Sequence, residues 1–304
     1  MKIHSLLFVI TAVLGFLGLG CAGPQVNVQI AHSLGATSKL GRGTIATYAT
    51  FDQSGAPKSL GVVFSAGALE GLPSTPSDGH HCFDADQNGS IDLASECSRW
   101  HEFVLPMPSE ASRRADTPFT WALLNWNPYG HIPLGVFGVP HFDVHFYIEP
   151  IENIFALQRG TCGPEFLRCD QFERASQPLP PNYVHHDYKD VGAAAPAMGN
   201  HLIDLTAPEF HGKPFTRTWV YGVYEGRIIF YEEMVTLAYL TSRPEVCYEI
   251  KMPKAVALTG YYPTRSCVRY VKEKDEYAVS MENFIMREAS PPEPIPTKQS
   301  DGRY

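Results

Sequence analysis

The sequence predicts a mainly-β protein, a single β-sandwich or barrel-like domain over residues 26–288 with long disulfide-linked loops and few short helices. Three observations predict it. Two long runs, GVFGVPHFDVHFYIE and FTRTWVYGVYEGRIIFYEEMVTLAYL, are dense in aromatic and β-branched residues and broken by glycine, which favours strands over helices. Residues 26–69 are β-leaning and alternate, through GTIATYATF and then LGVVFSAGAL. Six cysteines fall as three pairs of sequence neighbours, the pattern of an exported fold stapled by disulfides.

At the amino terminus, MKIHSLLFVITAVLGFLGLGC reads as a secretion signal over residues 1–21. Lys2 supplies the positive start, an apolar stretch follows, and small residues surround Cys21, as in cleaved signals rather than lasting anchors. An uncleaved anchor is the competing reading, since the run approaches the ~20 residues a bilayer span needs. The G-L-G-C ending is lipoprotein-like and makes Cys21 the lipidation candidate, although Gly18 stands where leucine is usual. The expected location is the outer face of the envelope or the periplasm for a lipoprotein, and release for a simple secreted protein.

Removing 21 residues from 304 leaves 283, enough for one large domain or two small ones. Loss of Lys2 takes Lys+Arg from 24 to 23 against 32 Asp+Glu, a net charge of −9. That mild acidity argues against nucleic acid and anionic lipid headgroups as partners. Contact with a membrane is then expected only through lipid on Cys21. The sequence leaves open a homo-oligomer and an unidentified small-molecule ligand.

Beyond the first strands, a Gly/Pro/Ser/Asp stretch at 71–79 leads into an acidic loop. TPFTWALLNW is read as one short helix or strand. Helical segments are expected at 151–155 and at 164–172, and a long Pro/Ala-rich connection at 175–198. VYEGRI marks a turn between two strands. The tail 289–304 has no apolar pattern and is expected to lack order.

Sequential pairing of the cysteines, Cys82–Cys97, Cys162–Cys169 and Cys247–Cys267, is favoured because each pair brackets a short segment. No C-x-x-C occurs, and the spacings do not suit zinc. Between the first pair, Asp84, Asp86, Asn88, Gly89, Ser90 and Asp92 spell D-x-D-x-N-G-x-x-D. Calcium loops place oxygen ligands at positions one, three and five and glycine at six, so this loop, an insertion at 82–97, is a calcium candidate. It departs at position twelve, where Ser95 replaces the expected bidentate glutamate and Glu96 stands one place late. The alternative is a solvated Asx-rich turn.

The densest unusual chemistry is PHFDVHFYIE, with His141, Asp143, His145 and Glu149. On a strand, His141, Asp143 and His145 share one face while Phe142, Val144 and Phe146 take the other. The α-carbons of His141 and His145 then lie ~13 Å apart, too far to share an ion comfortably. One ion is expected on Asp143 with one of the two histidines, the other acting behind it. His201 and Asp204 in PAMGNHLID, Glu232 and Glu233 in FYEEM, and His131 in NPYGHIP complete the set. The candidate transition-metal ligands are His141, Asp143, His145, His201 and Glu232, with His131 and Asp204 behind them. The donors suit zinc or another divalent transition metal such as iron or manganese. A buried hydrogen-bond network without metal is the alternative.

Two segments, NPYGHIPLGVFGVPHFDVHFY and MGNHLIDLTAPEFHGKPFTRTWVYGVYEGRIIFYEEMVT, resemble the uncharacterised bacterial proteins grouped around a sigma-E-controlled Thermus protein. With a weaker likeness in LGVVFSAGALEGLP, the resemblance covers most of 40–240. It implies a fold and not an activity. His131, His141, Asp143, His145, His201, Asp204 and Glu232 fall at its motif positions. Glu232-Glu233-Met234 replaces the family's E-P-M, and the acidic loop looks like an insertion. A partial echo of cupins, with Gly135 six before His141, adds an analogy to metal-bearing β-barrels.

Three functions remain open on the sequence: an exported metal-binding β-domain with a binding or envelope role, a metal-dependent enzyme acting on a small molecule, and a structural or assembly protein without metal. No serine elbow, phosphate-binding glycine loop or nucleophilic cysteine pattern occurs.

Overall fold

The computed structural model describes residues 31–296, and the expected signal segment and Cys21 lie outside the described residues. Among the described residues, fourteen of fifteen strands form two antiparallel seven-stranded sheets, with the short strand Ser38–Leu40 pairing off the main path of the first sheet. The chain starts in one sheet with β1 (Ala31–Leu34), β2 (Ser38–Leu40), β3 (Gly43–Phe51) and β4 (Pro57–Ser65). It then crosses to the other for β5 (His101–Pro106), β6 (Trp121–Asn127) and β7 (His141–Tyr147), leaves it for β8 (Arg159–Cys162), and returns to it for β9 (Tyr188–Ala195), β10 (Gly199–Asp204), β11 (Arg217–Tyr224) and β12 (Arg227–Thr236). Finally β13 (Glu245–Glu249), β14 (Gly260–Val271) and β15 (Glu276–Arg287) return to the first sheet. The orders are β1-β3-β4-β15-β14-β13 and β5-β6-β7-β12-β11-β10-β9, with β8 outside both.

The two sheets share one core. Leu60, Val62 and Phe64 of β4 meet Phe142, Val144 and Phe146 of β7, and the Phe64 and Phe142 rings lie 5.2 Å apart. This is the mainly-β, sandwich-like arrangement that the alternation predicts. β7 is buried along its whole length because it is covered on both faces. Its phenylalanines face the other sheet, and its His141, Asp143 and His145 face a layer of loops and short helices.

Three local expectations take definite form. TPFTWALLNW yields strand β6, in register against β7. VYEGRI is the β11–β12 hairpin, with Glu225 and Gly226 both at positive φ, as a tight two-residue turn requires. The helix expected at 151–155 is present at Ile151–Phe155, whereas the second lies later than expected, at Cys169–Ala175. The stretch 175–198 is not simply a connection, because it contains strand β9, whose alanines close the edge beside β10. Small residues misled the reading there: they suit a strand pressed closely against covering loops, but carry little β preference of their own.

All three disulfides form in the sequential pairing. Cys247 and Cys267 face each other across β13 and β14. The start of the tail is tied down: Ser290 donates its backbone N–H to Val256 O, Asn182 Nδ2 donates to Pro291 O, and Glu293 N–H donates to Asn182 Oδ1. Residues 297–304 lie outside the described residues.

Candidate metal centre

The candidate residues come together on the outer face of the second sheet. Register places His145 of β7 opposite Glu232 of β12, Asp143 opposite Met234, and His201 of β10 next to β11 at Gly222. Two groups result that could each hold a metal ion: His131, His141 and Asp143, and His145, His201 and Glu232. Within each group the three donor atoms lie within 4.8 Å of one another. His141 and His145 thus fall into different groups, as their separation along the strand requires. The single-ion arrangement expected around Asp143 becomes two sets.

Nearest donor separations are 3.2 Å for His141 Nε2 to Asp143 Oδ1 and 3.4 Å for His131 Nε2 to Asp143 Oδ2. In the second set they are 3.6 Å for His145 Nε2 to Glu232 Oε1 and 3.8 Å for His201 Nε2 to Glu232 Oε2. Two ligand atoms each about 2.1 Å from one ion, at a tetrahedral angle, stand about 3.4 Å apart. The observed spacings bracket that value.

The tautomers are fixed from behind. His131, His141, His145 and His201 each place Nδ1 against a backbone carbonyl, of Ile132, Val139, Leu123 and Ala193, at 2.8, 2.6, 3.2 and 2.8 Å. A carbonyl can only accept, so Nδ1 carries a proton in all four and Nε2 is the atom turned toward the carboxylate. His141 Nε2, His145 Nε2, Asp143 Oδ1 and Glu232 Oε2 are buried without any hydrogen-bond partner. Orphaned buried donors and acceptors are costly and uncommon, and their convergence fits a cation.

The fold holds these rings by packing. Phe230 of β12 lies against both His145 and His201, at 4.8 and 5.1 Å between ring centres. Its own seat is Gly222, where a Cβ would meet the Phe230 ring at 2.0 Å. His131 and His141 meet at 4.7 Å, and Asn127 Nδ2 donates to Asp143 Oδ2 at 2.8 Å.

Metal-free electrostatics differ between the sets. Burial opposes charge on His131, but the hydrogen bond and charge of Asp143 outweigh it and lift the imidazole to about 9. Burial also works against the Asp143 carboxylate, yet His141 and His131 hold it well below the usual range. In the second set burial, then His201, push His145 down to about 3, and burial pushes His201 down to about 4. Burial, reinforced by Asp143 and Glu233, raises Glu232 well above the carboxylate range. The first set therefore favours an ion pair, and the second favours neutral imidazoles beside a carboxyl pushed toward its protonated form.

One cavity of about 180 Å³ reaches both sets, touching His131 and Asp143 of the first and His201 and Glu232 of the second. Its walls are otherwise mostly apolar, and the half-buried Glu165 stands in them. Burial raises the Glu165 carboxyl. No family model, no curated protein and no solved structure matches this chain.

Other expected residues go elsewhere. Asp204 is not behind the histidines: it pairs with Lys251 at 2.7 Å and accepts from Thr206. Glu149 accepts from Asn153. Glu233 points into the sandwich, where Arg217 and Ser266 bind its carboxylate. In the acidic loop, Asp84, Asp86 and Glu96 offer oxygens within 4.8 Å of one another. Asp92 and Asn88 instead accept backbone N–H bonds from Ala94 and Ser90.

Glu96, one place late in the sequence pattern, is the buried carboxylate of the loop and accepts from Ala85 and Asp92. Glu165 and Trp100 carry no motif, and Asn127 opens NPYGHIP without being singled out by it. The one available signal for Glu165 was its position in the loop closed by Cys162 and Cys169.

Proposed function

We propose that this chain is an exported metal-binding β-sandwich protein whose two three-residue sets each hold a divalent transition metal facing a shared small-molecule cavity. The observation that carries the reading is the alignment of four histidines, each locked at Nδ1 by a carbonyl and each presenting Nε2 to a buried carboxylate. Two histidines with one carboxylate is a donor set that zinc, iron and manganese accept, and zinc is the first choice. Export through the amino-terminal signal, with lipid on Cys21, accords with six cysteines all engaged in disulfides.

Elemental analysis of protein purified without added metal tests the reading. About two transition-metal ions per chain are expected. Their absence, with unchanged stability after His141→Ala plus His145→Ala, overturns it.

Catalysis on a small molecule is the second reading, favoured by three protein donors per set where closed structural sites usually have four. A divalent ion with an open position acidifies the water it binds, and Glu165 stands in the cavity to exchange the proton. In the acidic loop we propose calcium on Asp84, Asp86 and Glu96, clamped by Cys82–Cys97.

A further inference from the structure

Three features of the cavity restrict what it accepts. Apart from the four candidate ligands and Glu165, its walls are formed by side chains such as Phe137, Met198, Ile203, Phe210 and Met234, and among the described residues no lysine or arginine lines it. A polar, hydroxyl-rich ligand would leave most of its hydrogen bonds unmade here. Its mouth is apolar as well: Ile132, Val191 and Leu205 line the cavity and are 40, 51 and 41 % exposed. Three such side chains left in water beside one opening are unlike scattered surface apolar residues.

Size and charge narrow the class further. A volume of about 180 Å³ slightly exceeds the roughly 150 Å³ of an engineered apolar cavity that takes benzene. It therefore fits one ring or a branched alkyl group with one small polar group. Two divalent ions against Asp143 and Glu232 leave the floor positive by two charges, or by one if Glu165 is ionised. An anionic oxygen donor neutralises that surplus. Trp100, 5 % exposed and with its indole N–H buried without a partner, lines the same cavity and offers a donor to a second ligand oxygen.

The geometry points to a carboxylate with a ring-sized apolar body as the ligand of this cavity, its carboxylate on the metal and its body against the apolar walls. This rests on the two-metal reading above. The ligand's apolar body sets affinity and the metal sets its orientation, so both parts are needed.

Cobalt(II) substitution separates the inference from its foundation. Visible d–d bands of the cobalt protein report metal occupancy by themselves. Benzoate, cyclohexanecarboxylate and acetate are then titrated into the full chain, following the bands and the heat of binding. Both ring carboxylates are expected to shift the bands and to bind about tenfold or more tighter than acetate, from burial of the ring. Val191→Ser plus Leu205→Ser, neutral changes at exposed rim positions, is expected to weaken benzoate several-fold while leaving the cobalt bands and acetate binding unchanged. Equal affinities for benzoate and acetate overturn the ligand class while the bands still uphold the metal sites. Benzoate binding that is as tight without cobalt overturns the metal-anchored pose. Absence of cobalt bands removes the metal reading and the inference together.

Discussion

His145 of β7 and Glu232 of β12 are direct cross-strand partners whose side chains leave the sheet on the same face, with Nε2 3.6 Å from Oε1 and both residues buried. Neither His145 Nε2 nor Glu232 Oε2 has a hydrogen-bond partner, so removing the carboxylate charge tests what that space holds. Glu232→Gln keeps the shape and matches the neutral acid favoured in the metal-free protein. Metal content is expected to fall by about one ion per chain, with affinity at this set down about 100-fold or more. The chelated variant should melt within a few degrees of the chelated parent. Unchanged metal content, measured by elemental analysis after dialysis, refutes the assignment of Glu232 as a ligand.

Binding should also release protons. At pH 7 the metal-free His131 is charged, with its value near 9, and Glu232 is raised well above its ordinary range, whereas His145 and His201 are already neutral. A metal ligand must be deprotonated, so loading the first set is expected to release about one proton from His131, and the raised Glu232 makes release, not uptake, the expected direction at the second set. Calorimetric titration with zinc in buffers of different ionisation enthalpy measures this number. Release near zero contradicts the ionisation states.

The pattern on the strands shows where sequence reading succeeds. Period-two alternation placed His141, Asp143 and His145 on one face because β7 is a regular strand without a bulge, and the same spacing puts His141 and His145 in different donor groups. It could not give the grouping, which depends on β12 lying beside β7 and on β10 lying two strands beyond β12, a topology no local pattern encodes. Asp204 was misassigned for a related reason: it sits three residues past His201 but turns to the Lys251 side at the end of β10. Glu165 and Trp100 arrive from covering segments, where side-chain direction follows from tertiary packing rather than from periodicity.

Acid should destabilise the metal-free chain earlier than its net charge alone requires. His145 and His201 fold with values lowered to about 3 and about 4, below the 6.5 of an unfolded imidazole. Their contribution is present above about pH 6.5 and is lost as pH falls toward 4, because the unfolded chain takes up those protons first. His131 works the other way: its raised value stabilises below 6.5, and that contribution is lost as pH climbs through about 9. Thermal melts of the chelated protein from pH 4 to 9 should therefore peak near neutrality. His201→Gln is expected to flatten the acid limb, and an acid limb identical to the parent's shows that His201 does not carry it.

Between the sheets, Glu233 is fully buried and is held by Arg217 and by Ser266 Oγ at 2.7 Å. Arg217 also stacks over Tyr248, 4.2 Å from its ring centre. Arg217→Met keeps much of the stacking volume and leaves Glu233 as an uncompensated carboxylate in the core. A loss of roughly 3–5 kcal/mol in urea unfolding is expected, with metal content unchanged because Glu233 faces away from the histidines. Adding Glu233→Gln to Arg217→Met should recover part of the loss. No recovery would show that Arg217 acts through packing alone.

Calcium should act on the acidic loop and nowhere near the histidines. Asp84 accepts from the backbone N–H groups of Asn88 and Gly89, and Glu96 accepts from those of Ala85 and Asp92, so both carboxylates are already preorganised by the loop that Cys82–Cys97 closes. Gly89 at φ +79 permits the sharp turn that brings Asp84 and Asp86 together. Without a position-twelve glutamate the affinity should fall in the 10⁻⁴–10⁻³ M range of extracellular modules. Millimolar calcium is expected to raise the melting temperature by a few degrees, and Asp84→Ala to abolish the rise while leaving transition-metal content intact. The same rise in the Asp84→Ala variant would assign the calcium effect to another part of the protein. Separating the two metals in this way also protects the other tests, since a calcium response could otherwise be read as occupancy of the histidine sets.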